Sequence, residues 1–273
     1  MSLRTLRTLF GIALLTLLAA CKQTPTCSEH FAQGQAPVIV NEKLETRTAM
    51  LCFEAYGVLH SGVSRTPLWS AEHLTAASVE QARGLKRKNT FHAEEKLPAN
   101  DRAELRDYVR SGYDRGHMSP SGDMPTESAQ YESFSLANMI PQNPNKNQVL
   151  WEGMEEATRN LARREGELYV VTGPIFEGTS LERLNGRVLV PTSIFKAIYI
   201  PSRQQAAAYF TANAPGMEYE TLSIAELETR IGINVFPKLP PEVKEAKMEL
   251  PTPTPRNFRK PRTAPSEPNT STR

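Results

Sequence analysis

Tyr113-Asp114-Arg115-Gly116-His117-Met118-Ser119-Pro120 sets a guanidinium, a glycine and an imidazole on consecutive residues. On an extended segment, Arg115 and His117 project to one face, because side chains two residues apart share a side of a strand. Gly116 between them lets backbone or substrate approach closely. With an ordinary pKa of about 6.5, a histidine is substantially neutral at working pH and can take a proton from water. His30, His60, His73 and His92 have no such company and read as structural or surface residues.

Downstream lies Leu136-Ala137-Asn138-Met139-Ile140-Pro141-Gln142, after which Asn147-Gln148 opens the clearest helical pattern of the chain, Lys146 to Arg163. Leu150, Met154, Ala157 and Leu161 fall on a single apolar stripe of that helix. Positions 147 and 155 are eight residues apart, which on a regular α-helix is about 80° out of phase and roughly 12 Å of rise. Asn147 and Glu155 are therefore expected on adjoining faces, with Trp151 between them. Asn147 can offer its amide oxygen to a cation or can cap the helix, and the local pattern leaves both roles open. Glu155 is too distant to share an inner coordination shell, yet it can hold the waters of a bound ion. Such oxygen donors suit magnesium, which keeps several waters. They suit zinc poorly, since zinc wants histidine or cysteine. Imidazole, guanidinium and a hydrated divalent cation are the groups that metal-assisted hydrolysis of a phosphodiester requires.

These segments together resemble the DNA/RNA non-specific endonucleases, the ββα-metal nucleases that include the endonuclease G type. The likeness extends through Leu68-Trp69-Ser70-Ala71-Glu72 and Val171-Thr172-Gly173-Pro174 to Pro191 and Lys196, covering approximately residues 50–236. It implies a single mixed nuclease domain with an antiparallel sheet and an embedded ββα-metal motif. It implies His117 as the general base, Asn147 as the direct ligand of Mg2+ (or Mn2+), and Glu155 as the group that positions the metal's waters. Asn138 would orient the site and Arg115 would steady the phosphate. A second, upstream arginine normally joins them. Arg87, in Lys86-Arg87-Lys88-Asn89-Thr90-Phe91, is the choice, with Arg83 or a neighbouring lysine as alternatives. The implied reaction is in-line attack of water on phosphorus, leaving 5′-phosphate ends. The ribose 2′-hydroxyl takes no part, so both DNA and RNA are expected substrates. A homodimer is compatible with the resemblance, and no obligate protein partner is evident. Two rival readings remain: a non-catalytic nucleic-acid-binding surface lipoprotein, and a phosphodiesterase for a small or lipid substrate.

The rest of the chain is expected to form one α+β domain. Strand-like runs are Ala36 to Val40, Leu51 to Leu59, Thr66 to Leu74 (interrupted by Pro67), Phe134 to Met139, Leu168 to Thr172, Arg187 to Pro191, Ile194 to Ile200 and Ala206 to Thr211. Ser78 to Leu85 and Ala103 to Val109 read as short helices. A last helix is announced by the capping box Ser223-x-x-Glu226 and stopped by Gly232. Strands and helices mix without regular alternation, which favours α+β over a parallel α/β design.

Residues 1–20 read as a signal segment. Arg4 and Arg7 form a positive start, and Phe10 to Leu18 is apolar but too short to span a bilayer. Leu18-Ala19-Ala20-Cys21 resembles a bacterial lipobox, with Cys21 the lipid-modified first residue of an exported, periplasmic or outer-membrane-anchored protein. An ordinary signal cleaved after Ala20 is the alternative. Two acyl signals would give stable membrane anchoring. Cys27 and Cys52 would then remain as a pair in an oxidising compartment, either joined or as two buried thiols. A bridge would close a loop of about 26 residues, worth roughly 3.5 kcal/mol by chain entropy. Residues 21–237 are the expected nuclease domain, and the proline-crowded stretch 238–273 reads as a disordered or polyproline-like tail.

Charge narrows the possibilities further. The 273 residues carry 32 basic and 30 acidic side chains. Segment 1–20 removes Arg4 and Arg7, and the tail removes eight basic and four acidic residues, leaving 22 basic against 26 acidic in 21–237. A general electrostatic grip on nucleic acid is absent from that body. Phosphate contacts must come from a local basic patch.

Overall fold

The computed structural model describes residues 27–256. The expected signal segment, the lipidation site Cys21 and residues 257–273 lie outside the described residues. In chain order the elements used below are β1 (Thr48–Cys52), β2 (Tyr56–Ser61), β3 (Thr66–Thr75), α1 (Ala76–Arg83), β4 (Asp114–His117), α2 (Glu127–Ser133), β5 (Met139–Gln142), α3 (Glu152–Glu165), β6 (Glu167–Ile175), β7 (Ser193–Ile200), β8 (Gln205–Ala212), β9 (Glu220–Leu222), α4 (Ile224–Ile231) and α5 (Pro241–Glu245).

Seven strands make one antiparallel sheet in the order β9-β8-β7-β6-β3-β2-β1, while β4 and β5 pair separately. The fold is α+β with an antiparallel sheet, as expected. β7 is buried at every position, so its two faces meet two different layers. Phe195, Ala197 and Tyr199 point to one side, against Phe31 and the apolar faces of α4 and α5. Ile194, Ile198 and Ile200 point to the other, against Leu150, Trp151, Met154 and Leu161. Burying the two leucines and Met154 stabilises by about 1.5–3 kcal/mol each. That packing clamps α3 to the sheet and fixes the direction of its polar face.

The structure departs from the sequence reading at several joints. Leu51 to Leu59 is two strands, because the Phe53 N–H donates to the Tyr56 carbonyl at 3.0 Å and closes a turn between β1 and β2. β3 runs through Pro67 without interruption. The register slips at Leu59/His60, and this bulge leaves Leu68 as an extra residue beside the proline. Phe134 to Met139 is not a strand. Leu136–Asn138 make a 3-10 turn, with the Ala137 N–H donating to the Ser135 hydroxyl, and the strand begins at Met139. Ala103 to Val109 shrinks to a 3-10 turn at Leu105–Tyr108, Ala36 to Val40 to the pair Val38–Ile39, and Arg187 to Pro191 to Val188–Leu189. The last helix stands as read, from the Ser223/Glu226 capping box to Gly232 in the left-handed region.

The largest correction concerns the stretch after residue 237. Pro241 opens α5 at a position where a missing N–H costs nothing. Leu239, Val243, Met248 and Leu250 are all buried. The Tyr209 hydroxyl donates to the Pro251 carbonyl. The fold therefore continues to Arg256 rather than ending at 237. The prolines suggested a free tail, but a few apolar residues among them fill the two cores beside the sheet. At the other end, a disulfide joins Cys27 to Cys52, with Cα atoms 5.5 Å apart, and ties the first described residues to β1.

Candidate active site

β4 and β5 pair with Asp114 opposite Gln142 and His117 opposite Met139, and the long helix follows, giving a ββα unit. Gly116 is required in that ladder, since a Cβ there would lie 2.0 Å from the Gln142 side chain. A neighbouring side chain, not substrate, takes up the space the glycine leaves. The unit opens into a cavity of about 660 Å³ whose walls include Arg87, Arg115, His117, Asn147 and Glu155. Five of the six residues singled out for catalysis and metal binding thus meet at one place. Asn138 does not reach the cavity.

His117 lies on the drier wall. The residue is 7% exposed, and its ring packs edge-on to Phe134 at 4.9 Å and lies 5.8 Å from Phe91. Its Nε2 is buried without a hydrogen-bond partner among the described residues. Burial, then the Arg87 and Arg115 guanidinium charges, push its pKa down to about 3. The arginines are held by the same aromatic residues. Arg115 stacks 4.0 Å above Phe91, and Arg87 lies 5.1 Å above Phe134. Arg87 also donates to Asn89 Oδ1 at 2.9 Å and to the Ser121 hydroxyl at 3.0 Å. Arg83, the alternative, lines the cavity from α1, but its side chain is 72% exposed and pairs with Glu80.

The opposite wall is the helix. Its start is capped by Asn143, whose Oδ1 accepts the Asn145 and Lys146 N–H groups, so Asn147 does no capping. Asp114 instead accepts Asn147 Nδ2 and Gln148 Nε2, both at 2.9 Å. A carboxylate only accepts, so the Asn147 nitrogen must face Asp114 and its oxygen must turn away. Lys146–Trp151 form a π-turn, in which the Glu152 N–H reaches the Asn147 carbonyl five residues back. A π-turn holds one residue more than an α-turn, which takes about 100° from the phase and leaves Asn147 and Glu155 about 20° apart. The regular-helix reading placed them on adjoining faces; the widened turn brings them to the same one. Glu155 is half-buried, and burial pushes its pKa up to about 7 against the pull of Arg159 and Lys196.

Asn138 works from behind. It is fully buried, accepts the Ser119 N–H at 3.0 Å, and donates to the carbonyls of Ser119 and Ser133 at 2.8 and 2.9 Å. Two of these three bonds pin the backbone at Ser119, two residues beyond His117, and the third ties it to the end of α2. Below it, the Ser119 and Ser70 hydroxyls share a hydrogen bond of 2.7 Å, and Lys196 Nζ donates to Thr172 Oγ1 at 2.9 Å. Ser70, Thr172 and Lys196 are lateral neighbours across β3, β6 and β7. Glu72 is buried in the same layer, neither oxygen having a hydrogen-bond partner among the described residues, and burial raises its pKa well above the carboxylate range.

Sequence reasoning gave no role to several of these groups. Asp114 stood in the motif, and its acceptor-only chemistry beside two carboxamides was the available signal. Arg159 lines the cavity and is fixed by Asp123 at 2.8 Å and Glu156 at 3.0 Å; its place one turn beyond Glu155 was the signal for it. Nothing local marked Glu72 or Gln142.

The donor set fits a hard divalent cation. Among the described residues no cluster of three histidine, cysteine or acidic side chains exists to build a zinc-type centre. The cavity wall instead includes Asn147 and Glu155, whose side chains carry oxygen donors, and such a donor set leaves room for the ion's own waters. Its walls also carry six arginines (83, 87, 115, 159, 163 and 256) against three glutamates (152, 155 and 156), the local basic patch that the net-negative body demanded.

Residues 35–242 match the family model for DNA/RNA non-specific endonuclease. The chain belongs to that family. This endonuclease is 32% identical over 206 residues to Nuclease C1 of Cunninghamella echinulata var. echinulata, spanning 68% of its own length and 82% of the fungal protein's. It is 28% identical over 204 residues to mitochondrial Endonuclease G of Bos taurus, covering 68% of each. It is 33% identical to mitochondrial Nuclease EXOG of Danio rerio, of which it spans 57%. Among solved structures, its fold matches that of the EndoG/EndoGI complex with a TM-score of 0.67 at 27% identity, over 71% of this chain and 88% of that one. The endonuclease is a nucleic-acid hydrolase on these grounds.

Proposed function

We propose that this endonuclease is divalent-metal-dependent and sugar-non-specific, cutting DNA and RNA internally to 5′-phosphate products. One observation carries the reading: His117, Arg87, Arg115, Asn147 and Glu155 all line one cavity. A second depression of about 420 Å³ adjoins it around Arg87, Arg115 and Asn147 and adds Phe91, Tyr108 and Tyr113. Charged and aromatic walls in continuity suit the alternating phosphates and bases of a polymer. They suit a lipid phosphodiester poorly.

The chain's own groups divide the work. Arg115 and Arg87 hold the scissile phosphate and offset charge that builds on it. His117, neutral at any working pH, takes the proton of the attacking water. A base with a pKa near 3 is weak, and two of the three causes of that weakness are the neighbouring guanidiniums. An anionic phosphate between them offsets both, so the substrate itself raises the basicity of His117. Asn147 and Glu155 would hold the cation, Asn147 directly and Glu155 through water, with Asp114 keeping the amide oxygen turned outward. When bound, that cation supplies further charge stabilisation and a proton source for the leaving oxygen. Asn138 keeps the His117 segment in register from beneath.

We further propose that the chain is exported and anchored to a membrane through a lipidated Cys21, with residues 1–20 removed. The sequence at Leu18-Ala19-Ala20-Cys21 and the Cys27–Cys52 bridge, which belongs in an oxidising compartment, support this. Mass spectrometry of the mature N-terminal peptide should find an acylated Cys21; an unmodified Cys21 would remove the anchor. For the reaction, the mature chain is incubated with linear DNA, circular DNA and RNA, with Mg2+, Mn2+ or chelator. Metal-dependent loss of all three substrates, with 5′-phosphate ends, is expected. No cleavage under either metal would leave the two rival readings, a nucleic-acid-binding protein or a phosphodiesterase for another substrate.

A further inference from the structure

Residues 247–256 lie beyond the span matched by the family, yet they are bound to the catalytic helix. Met248 and Leu250 sink into the core that α3 shares with the sheet, and the Met248 N–H donates to the Ala206 carbonyl. The strap then crosses α3 at Gly153. A Cβ at that position would lie 2.6 Å from the Thr254 carbonyl oxygen, so the glycine is the seat in which the strap rests. A glycine inside a helix is disfavoured relative to alanine, and here the close approach requires it. The Arg256 N–H donates to the Val149 carbonyl at 3.3 Å, and its guanidinium meets Glu152 on the cavity wall. Pro251, Pro253 and Pro255 limit the conformations open to the strap, which keeps its end in place at low entropic cost.

We infer that Arg256 is a phosphate-binding residue: the C-terminal strap carries a guanidinium to the wall of the cleft to hold a phosphate flanking the scissile one. This rests on the reading of the cavity as the nuclease site. Glu152 holds Arg256 in a pair exposed on both sides, 56% and 37%, and such pairs are weak. A guanidinium has five N–H donors, and the single bond to Glu152 leaves the others for a ligand. Its partner Glu152 lies about one helical turn before Glu155, so the guanidinium is tied to the cleft wall at a neighbouring position on the helix rather than at Glu155 itself.

The test uses the mature full-length chain and three variants, Arg256→Ala, Arg256→Lys and Gly153→Ala. Steady-state cleavage of a reporter duplex is measured across a salt series, and binding to the same duplex is followed by anisotropy in chelator. Arg256→Ala is expected to raise KM and the chelator Kd by about threefold to tenfold and to leave kcat nearly unchanged. It should also flatten the slope of log(kcat/KM) against log salt by about one. Arg256→Lys should keep most of the binding, and Gly153→Ala, by unseating the strap, should reproduce the loss. An Arg256→Ala enzyme with unchanged KM and slope overturns the inference, and so does one that cuts faster. A Gly153→Ala enzyme with wild-type KM shows that the seat does not position Arg256 and overturns it as well. Inactivity of the wild-type chain would instead strike the nuclease reading itself.

Discussion

The two walls of the cleft treat their ionisable groups in opposite ways. On the β4 wall, His117 lies among Phe91, Phe134 and two guanidiniums, and its pKa falls to about 3. On the α3 wall, Glu155 is half-buried and its pKa rises to about 7. Burial is the first cause of both shifts, yet it drives a base down and an acid up, because it disfavours whichever form carries charge. Both groups therefore lean toward neutrality in the empty cleft. In the proposed reaction each wall meets a ligand that brings charge: an anionic phosphate at the first and a cation at the second. Environments that push two titratable groups apart around one point also assign their roles.

Removing the proposed base is the severest way to break this contrast. His117→Ala is expected to lower kcat at least a hundredfold while duplex binding in chelator survives, since proton transfer by a positioned base contributes about 10²–10⁴-fold. A variant that kept more than about a tenth of the rate would move the base elsewhere. Asp114→Ala addresses the other wall one step back. It frees the Asn147 amide to rotate and should raise the Mg2+ or Mn2+ concentration at half-maximal rate by about tenfold, the usual cost of losing an orienting partner. Asn147→Ala should raise it further. A metal titration unchanged in both variants would mean that the helix wall holds no cation.

How much of this was legible in the sequence differs between the walls too. On the β4 wall the shared direction of Arg115 and His117 was legible, because they are two residues apart on a strand, where alternation fixes their direction; the contacts of Asp114 and Gln142 were not. The α3 wall was legible only in composition. Asn147 and Glu155 were found, but their relative phase was not, since nothing in Lys146-Asn147-Gln148-Val149-Leu150-Trp151 announces a π-turn. The capping role left open for Asn147 went to Asn143, whose side chain looks the same in a sequence. The sheet strands Ile194 to Ile200 and Ala206 to Thr211 were plain because each is long and apolar. Thr66 to Leu74 misled through Pro67, whose missing N–H is harmless beside a bulge. The stretch after 237 misled most. Its apolar residues are too sparse to declare a core, and their burial depends on surfaces supplied by β8 and α3.

A subtler prediction sharpens the contrast through stability, measured without metal. The folded pKa of Glu155, about 7, stands above its ordinary 4.5, so ionising it costs the fold. Its contribution is fully present below 4.5 and is lost as pH rises through 7. The folded pKa of His117, about 3, stands below its ordinary 6.5, so its contribution is present above 6.5 and is lost as pH falls toward 3. The two walls thus destabilise the protein at opposite ends of the pH scale. Glu155→Gln removes the alkaline-side penalty and should raise Tm at pH 8 by about 2–4 °C, the effect of roughly 1 kcal/mol in a domain of this size after allowance for solvent screening. The same variant should show no gain at pH 4, where the carboxyl is already neutral. His117→Gln should behave in the mirror sense and lose less stability than the wild type between pH 6.5 and 4. If Glu155→Gln gained equally at both pH values, its effect would be one of packing rather than charge. Glu155 would then be an ordinary surface carboxylate, and the opposition between the walls would reduce to the histidine alone.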